Sequence, residues 1–435
     1  MHIFNGLLTI CTFLPLTLGS LVQAQDDTAA TRSRLTVGGY GEAVYYYNFF
    51  SDSPKRYRHP DVYADAPGHG RVDLPHAVIM LGYDFGHGWT VGTEIEFEHG
   101  GTEAAVEVEG EEAVEFEREI ERGGEVALEQ FWVQKSFSKY LNVRAGHIVV
   151  PVGMTNNNHT PNTFFGVFRP EGENTILPCT WHETGLSVWG QAGPWRYEAQ
   201  LLPALNSRMM DSYGWAHYAS ASPYEFRPAN NLAGALRVDW TGVKGLRLSA
   251  SGYVGNTFDN DSYTDIYPAT SPFHGVKGTL MIGAFDFAYR NRYLTVRGNV
   301  DYGFLGDDSI ITMFNNTRLP NSADAPYPHT RVGEQAWAAG IEAGVDVLAF
   351  FHAKKLQSKK LYLFGRYDHY DSYVPFGVLP DIEEAERELI VGGFNYYPLP
   401  EIAVKAEGGV RLRAKQFNRE PYVAVGITWT GFFKR

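Results

Sequence analysis

Cysteine is almost missing from this chain: Cys11 and Cys179 are the only two in 435 residues. Cys11 lies in an apolar leader, so an exported mature chain keeps Cys179 alone and has no intrachain disulfide to staple it. Long hydrophobic runs are missing too. After the leader, no stretch reaches the roughly 18 consecutive apolar residues of a membrane helix. A mature chain that spans a bilayer must then do so as a closed barrel. Basic charge is in deficit, with 37 Lys and Arg against 50 Asp and Glu and a formal net charge of −13. That balance argues against a nucleic-acid partner. The leader itself lacks Lys and Arg and has only His2 before its apolar run. Residues 3–22 still read as an export signal, followed by the small-residue site Val22-Gln23-Ala24. We expect residues 1–24 to be a signal peptide and 25–33 a short N-terminal segment.

Glycine and aromatics are plentiful, with 46 Gly, 26 Tyr, 27 Phe and 9 Trp, and the hydrophobic fraction is a modest 44%. Such a mixture suits strands that are apolar on one side only. The stretch EIAVKAEGGVRLR, 401–413, shows the pattern. Ile402, Val404, Ala406, Val410 and Leu412 occupy one parity, and Lys405, Glu407, Arg411 and Arg413 the other. Alternating segments are predicted at 34–47, 71–83, 88–98, 126–137, 140–150, 184–191, 195–202, 230–240, 245–255, 278–289, 292–303, 335–349, 360–370, 387–397, 401–413 and 421–432.

The connections between these segments alternate in length. Those at 86–88, 138–139, 192–194, 242–245, 290–291 and 398–400 are tight, while 48–70, 99–125, 151–183, 203–229, 256–277 and 304–334 are long. The 350–359 connection is longer than the other tight ones, and the last connection on the long side is short. A barrel in an outer membrane explains the alternation, because short turns face the periplasm and long loops face outside. Tyr83, Trp89, Trp195, Trp240, Trp337 and Trp429 fall near strand ends, where interfacial girdles belong. The expected fold is all-β: a closed antiparallel transmembrane β-barrel of about sixteen strands spanning 34–435. At that strand number the interior is too wide for wall side chains to fill, and a channel is expected.

Parity places Arg144, Arg237, Arg247, Arg297, Arg366, Lys405, Arg411 and Arg413 on the inner face. It adds Glu94, Glu96 and Glu98, with Glu198, Asp239, Asp301, Asp368 and Glu407. These groups form either an arginine track that draws anions or a lining in which acids and bases pair. The near-equal numbers favour pairing. Among the loops, 101–125 is an acidic run with some helical spacing, and 256–265 clusters oxygens of a kind that holds calcium. Solvated surface is the commoner fate of such runs, so no metal site and no cofactor are assigned.

The stretch RAGHIVVPVGMTNNNHTPNTFFGVFRPEGENTILPCTWHETGLSVWG resembles the signature of the phosphate-selective porin O and P family. It has a Gly-x-x-x-x-Pro opening, an Asn/His-rich turn, an Arg-Pro step and a Pro-x-x-Trp run into the next strand. FGRYDHYDSY at 364–373 and GGFNYYPLPEIAVKAE at 392–407 are similar to late strands of that family. The resemblance implies a sixteen-stranded porin, usually trimeric, whose third long loop, here 151–183, folds inward to set a constriction. By position Asn156, His159, Arg169 and Glu171 would belong to that loop, with Arg366 facing the lumen. The family often has a Lys where this chain has Val149, which weakens the implied phosphate selectivity.

The expected function is therefore passive diffusion of small hydrophilic solutes or ions through an outer-membrane porin; the arginine track, were it to prevail over pairing, would add an anion preference. The partners are membrane lipid, lipopolysaccharide and further copies in a homotrimer. One alternative is a barrel hydrolase, with His159, His182 and Glu183, or His369 with Asp368 and Asp371 as candidates. No Gly-x-Ser-x-Gly or His-Glu-x-x-His motif supports it, so no enzymatic activity is assigned. The other alternative is a barrel whose long loops bind a partner, with conductance incidental.

Overall fold

Strand alternation decides which face of each segment tolerates lipid, and closure decides where the backbone hydrogen bonds go. The structure is a computed structural model describing residues 34–99, 104–108, 118–122, 126–220, 227–258, 267–318, 331–351, 353, 356, 358–375 and 380–434. The expected signal peptide and N-terminal segment lie outside the described residues.

The strands are β1 (Leu35–Asn48), β2 (His69–Asp73), β3 (His76–Gly86), β4 (Trp89–Glu98), β5 (Ala104–Val108), β6 (Arg118–Arg122), β7 (Val126–Ser138), β8 (Leu141–Val149), β9 (His182–Ala192), β10 (Trp195–Pro203), β11 (Leu232–Trp240), β12 (Leu246–Asn256), β13 (Thr279–Arg290), β14 (Leu294–Leu305), β15 (Gln335–Asp346), β16 (Lys360–Val374), β17 (Glu386–Leu399), β18 (Ile402–Leu412) and β19 (Glu420–Lys434). Apart from the β5–β6 pair, each joins one antiparallel sheet that returns on itself, since β1 pairs with both β3 and β19. Segments β2 and β3 form one wall strand, broken at Leu74-Pro75, and both pair with β1. Proline has no N–H for the ladder, which accounts for the break in the predicted 71–83 segment. The ring thus has sixteen strands.

The partition of side chains runs opposite to that of a soluble protein. On β18, Ala403, Lys405 and Glu407 are buried while Val404 is exposed, and on β19 Val423, Val425, Ile427 and Trp429 are exposed. Arg237, Asp239, Arg247, Asp286, Arg297 and Asp301 are all buried. An apolar outside and an ionic inside suit a cylinder standing in lipid with its backbone groups paired around the ring. No described helix is long and apolar enough to cross a membrane.

The main apolar cluster lies inside the ring, toward the long loops. Wall residues Tyr40, Val78, Met80 and Trp132 meet Val150, Val152, Ile176 and Trp181 of the β8–β9 connection. Leu205, Met210 and Trp215 join from the β10–β11 connection, with Ile311 and Phe314 from the helix Asp308–Arg318. Trp215 requires Gly303 beneath it, where a Cβ would stand 2.0 Å from the indole.

Two expectations need correction, and a third falls mostly outside the described residues. The acidic 101–125 run is not helical where it is described: β5 and β6 pair as an antiparallel hairpin. Alternating Val and Glu in this stretch carry a period of two, which outweighs the helical spacing. The predicted 335–349 strand stops at Asp346, whose carboxylate accepts from the Leu348 amide at 3.1 Å and starts a short 3₁₀ turn. Of the oxygen cluster at 256–265, residues 259–265 lie outside the described residues; Asn256 accepts from the Thr279 hydroxyl at 2.9 Å, Thr257 donates to Gly278 O at 2.7 Å, and Phe258 is buried among aromatic rings.

Candidate functional site: the inward segment and the wall it meets

The connection between β8 and β9 is tied off at its base before it enters the ring. Asn156 donates to the carbonyls of Val150 (2.7 Å) and Trp181 (3.3 Å), and its oxygen accepts from the Trp181 amide at 2.6 Å. Glu173 then gathers the first turn, accepting from the amides of Met154 (2.9 Å), Thr155 (2.7 Å) and Asn156 (3.3 Å). Gly153 makes this possible with a φ of 80°, since a Cβ there would lie 2.3 Å from Glu173 Oε1. Burial pushes the Glu173 carboxyl up to about 7, against the pull of those amides.

From this base the segment reaches strands half a ring away. Lys405 on β18 donates to the carbonyls of Pro161 (2.5 Å), Phe164 (2.9 Å) and Gly166 (2.7 Å), which uses all three ammonium hydrogens. Glu407 accepts from the Val167 amide at 2.7 Å, Asn395 on β17 donates to Phe165 O at 2.8 Å, and Arg366 on β16 donates to Phe168 O at 3.2 Å. Glu171 receives Arg411 Nε on both oxygens, at 2.8 and 2.7 Å, and the Tyr370 hydroxyl at 2.5 Å. Burial alone would raise the Glu171 carboxyl, but Arg411 overrides it and holds the group below its usual range.

The remaining inner-face cations are largely met by carboxylates. Arg237 bonds Asp239 (2.8 Å) and Asp286 (2.9 Å), and also reaches Gly153 O at 2.9 Å. Arg247 meets Asp286 at 3.2 Å, Arg297 meets Glu342, Arg366 meets Asp368 at 2.9 Å and Arg413 meets Glu420 at 3.1 Å. Arg144 differs: it donates to Gln134 Oε1 at 3.1 and 2.9 Å and lies 4.4 Å from the Trp132 ring. Glu96 pairs with His76 at 2.6 Å, and Glu94 accepts from Gln130.

Arg169 does not reach the wall through the bonds it makes here. Its guanidinium donates to His159 O at 3.3 Å and Cys179 O at 3.4 Å, so it staples the segment to itself. His159 turns toward Glu94, 3.9 Å away. The hydrolase candidates do not assemble. His182 meets His147 at 2.5 Å, Glu183 pairs with Arg227 at 3.1 Å and His369 pairs with Glu386 at 3.0 Å. Among the described residues none of His159, His182 and His369 hydrogen-bonds a Ser or Cys side chain.

Sequence reading missed Glu129, Glu173, Tyr370 and Asn395. Glu129 left a signal. Leu128 and Phe131 are both exposed yet three apart in a strand of period two, and the two residues between them, Glu129 and Gln130, are both buried. Tyr370 and Asn395 sit on inward parities of predicted strands, but their partners belong to a connection whose path no periodicity encodes.

A closed sixteen-stranded antiparallel ring, apolar outside and ion-paired inside, with a long connection crossing its interior, defines the porin class of barrel. No family model matches this chain. An uncharacterized protein of Aquifex aeolicus (strain VF5) is 24% identical over 404 residues, covering 91% of this chain and 79% of that protein. Among solved structures, the anion-selective porin from Comamonas acidovorans matches 91% of this chain and 99% of its own, with a TM-score of 0.54 and 11% identity. OmpF of Salmonella typhi, in complex with daunomycin, matches 91% and 97% with a TM-score of 0.53 and 10% identity. OprB of Pseudomonas putida matches 91% and 94% with a TM-score of 0.51 and 9% identity. The shared feature is the outer-membrane porin fold; these likenesses do not single out the phosphate-selective O and P family.

Proposed function

We propose that this protein is an outer-membrane porin, a passive channel for small hydrophilic solutes or ions, narrowed where the 151–181 segment crosses the interior. The observation that carries this reading is the set of bonds from Lys405, Glu407, Asn395, Arg366 and Arg411 to that segment. They fix it across the ring instead of leaving it outside. Lipid and lipopolysaccharide meet the apolar exterior, and the family resemblance implies a homotrimer.

An anion preference needs guanidinium charge left over after pairing. Arg237, Arg247, Arg297, Arg366 and Arg411 each meet a carboxylate, so the lining selects weakly by charge. The purified protein in a planar bilayer is expected to give small, stepwise, ohmic currents with a reversal potential near zero in a salt gradient. A strongly anion-shifted potential would restore the arginine-track reading. Complete absence of current from folded protein would favour a barrel whose loops bind a partner.

A further inference from the structure

The ladder between β4 and β7 slips by one residue, so that Glu94 faces Gln130 while the next pair is Ile95 with Leu128. The extra residue is Glu129. Such a bulge re-aims a side chain, and here it sends a second carboxylate inward beside Glu94. The inward segment brings His159 to the same place. Donor atoms of Glu94, Glu129 and His159 lie within 4.8 Å of one another, on side chains of residues that are 0%, 1% and 3% exposed.

The imidazole is oriented as a ligand would be. His159 Nδ1 is 2.9 Å from the carbonyl of Asn156, which can only accept, so Nδ1 carries a proton, and in the neutral imidazole Nε2 presents its lone pair. That Nε2 is buried without a hydrogen-bond partner, and so is Glu94 Oε1 opposite it. With the imidazole neutral these are two acceptors facing each other in a buried site, which calls for a cation between them; without one, a second proton on the ring would pair it with Glu94. The carboxylates are held from behind as well: Gln130 donates to Glu94 and the Tyr40 hydroxyl donates to Glu129 at 3.3 Å. Each ligand thus has an outer partner, as metal ligands usually do. Glu96, bonded to His76 at 2.6 Å, lies two residues on from Glu94 on the same face of β4 and stands ready as a further oxygen.

We propose that Glu94, Glu129 and His159 bind a divalent transition-metal cation of the zinc or cobalt kind, which clamps the inward segment to the barrel wall. Two carboxylates and a neutral imidazole balance a double positive charge. The nitrogen ligand favours such ions over calcium, which takes oxygens. Zinc–ligand bonds of about 2.0–2.2 Å would bring neighbouring donors to roughly 3.4 Å apart, a small contraction from the separations found here.

The full chain, folded in detergent and stripped with a chelator, should take up about one Co²⁺ or Zn²⁺ per chain with calcium in excess. X-ray absorption of the zinc form should show one imidazole nitrogen among oxygens. His159→Ala and Glu129→Gln should each weaken uptake by about tenfold or more, while His369→Ala should leave it unchanged. Wild-type protein that retains no metal, or a folded His159→Ala variant that binds as the parent does, would overturn the proposal. If both site variants fail to fold, the wild-type stoichiometry and absorption spectrum decide: an oxygen-only shell rejects the site.

Discussion

At the scale of single residues, Lys405 shows how a charge read as lining becomes a clamp. Its ammonium is fully buried, and all three hydrogens end on loop carbonyls, with the Phe164 ring 4.4 Å away. No donor remains for a passing anion. The Lys405→Met substitution keeps the stem but removes the donors, stranding three carbonyls; each buried acceptor left unpaired costs on the order of 1–3 kcal/mol. We expect a lower urea midpoint together with larger and noisier single-channel currents as residues 161–166 come loose. Unchanged currents would show that the segment does not depend on this anchor. Parity puts Lys405 on the inner face, but only the path of the loop decides what it does there.

At the scale of elements, the inward segment is stabilised from its base by Glu173. Burial holds this carboxyl at about 7, above the ordinary range near 4.5. The folded state therefore binds a proton more readily than the unfolded chain between those values. By linkage, this group's contribution to stability is greatest below the unfolded pKa and is lost as pH rises through 7. Glu173→Gln, neutral at every pH, should remove that part of the slope, of order 2–3 kcal/mol between pH 4.5 and pH 8. Urea unfolding at a series of pH values checks this, and an identical slope in parent and variant would remove Glu173 from the account. The strands themselves were legible from their period, with breaks where a local interaction intervened: Pro75 between β2 and β3, Asp346 at the end of β15, and Glu129 in β7. The bulge was the least legible of these, since it depends on which partner strand faces the extra residue.

At the scale of the whole molecule, closure leaves no sheet edge and gives every strand one lipid face. Val404, near the start of β18, is 41% exposed, whereas its neighbour Lys405 is 0% exposed. Val404→Arg should destabilise the barrel, by up to about 2–4 kcal/mol at the bilayer midplane and less toward an interface. Unfolding from lipid vesicles measures it, and a negligible cost would mean that this face does not contact hydrocarbon. The same closure forces opposite charges into close company, because many Arg, Asp and Glu side chains of the inner wall are buried once loops fold against it. Pairing then lowers the cost of burial.

The sequence by itself determined the strand count, the antiparallel order and the inward or outward sense of most residues. All three follow from a two-residue period and from the lengths of consecutive turns, which are local properties. Tertiary structure alone decided that residues 151–181 cross to strands β16–β18, that Arg169 holds the loop to itself, and that Glu129 joins Glu94 and His159. Those outcomes depend on contacts between residues far apart in the chain, and their geometry exists only once the ring has closed.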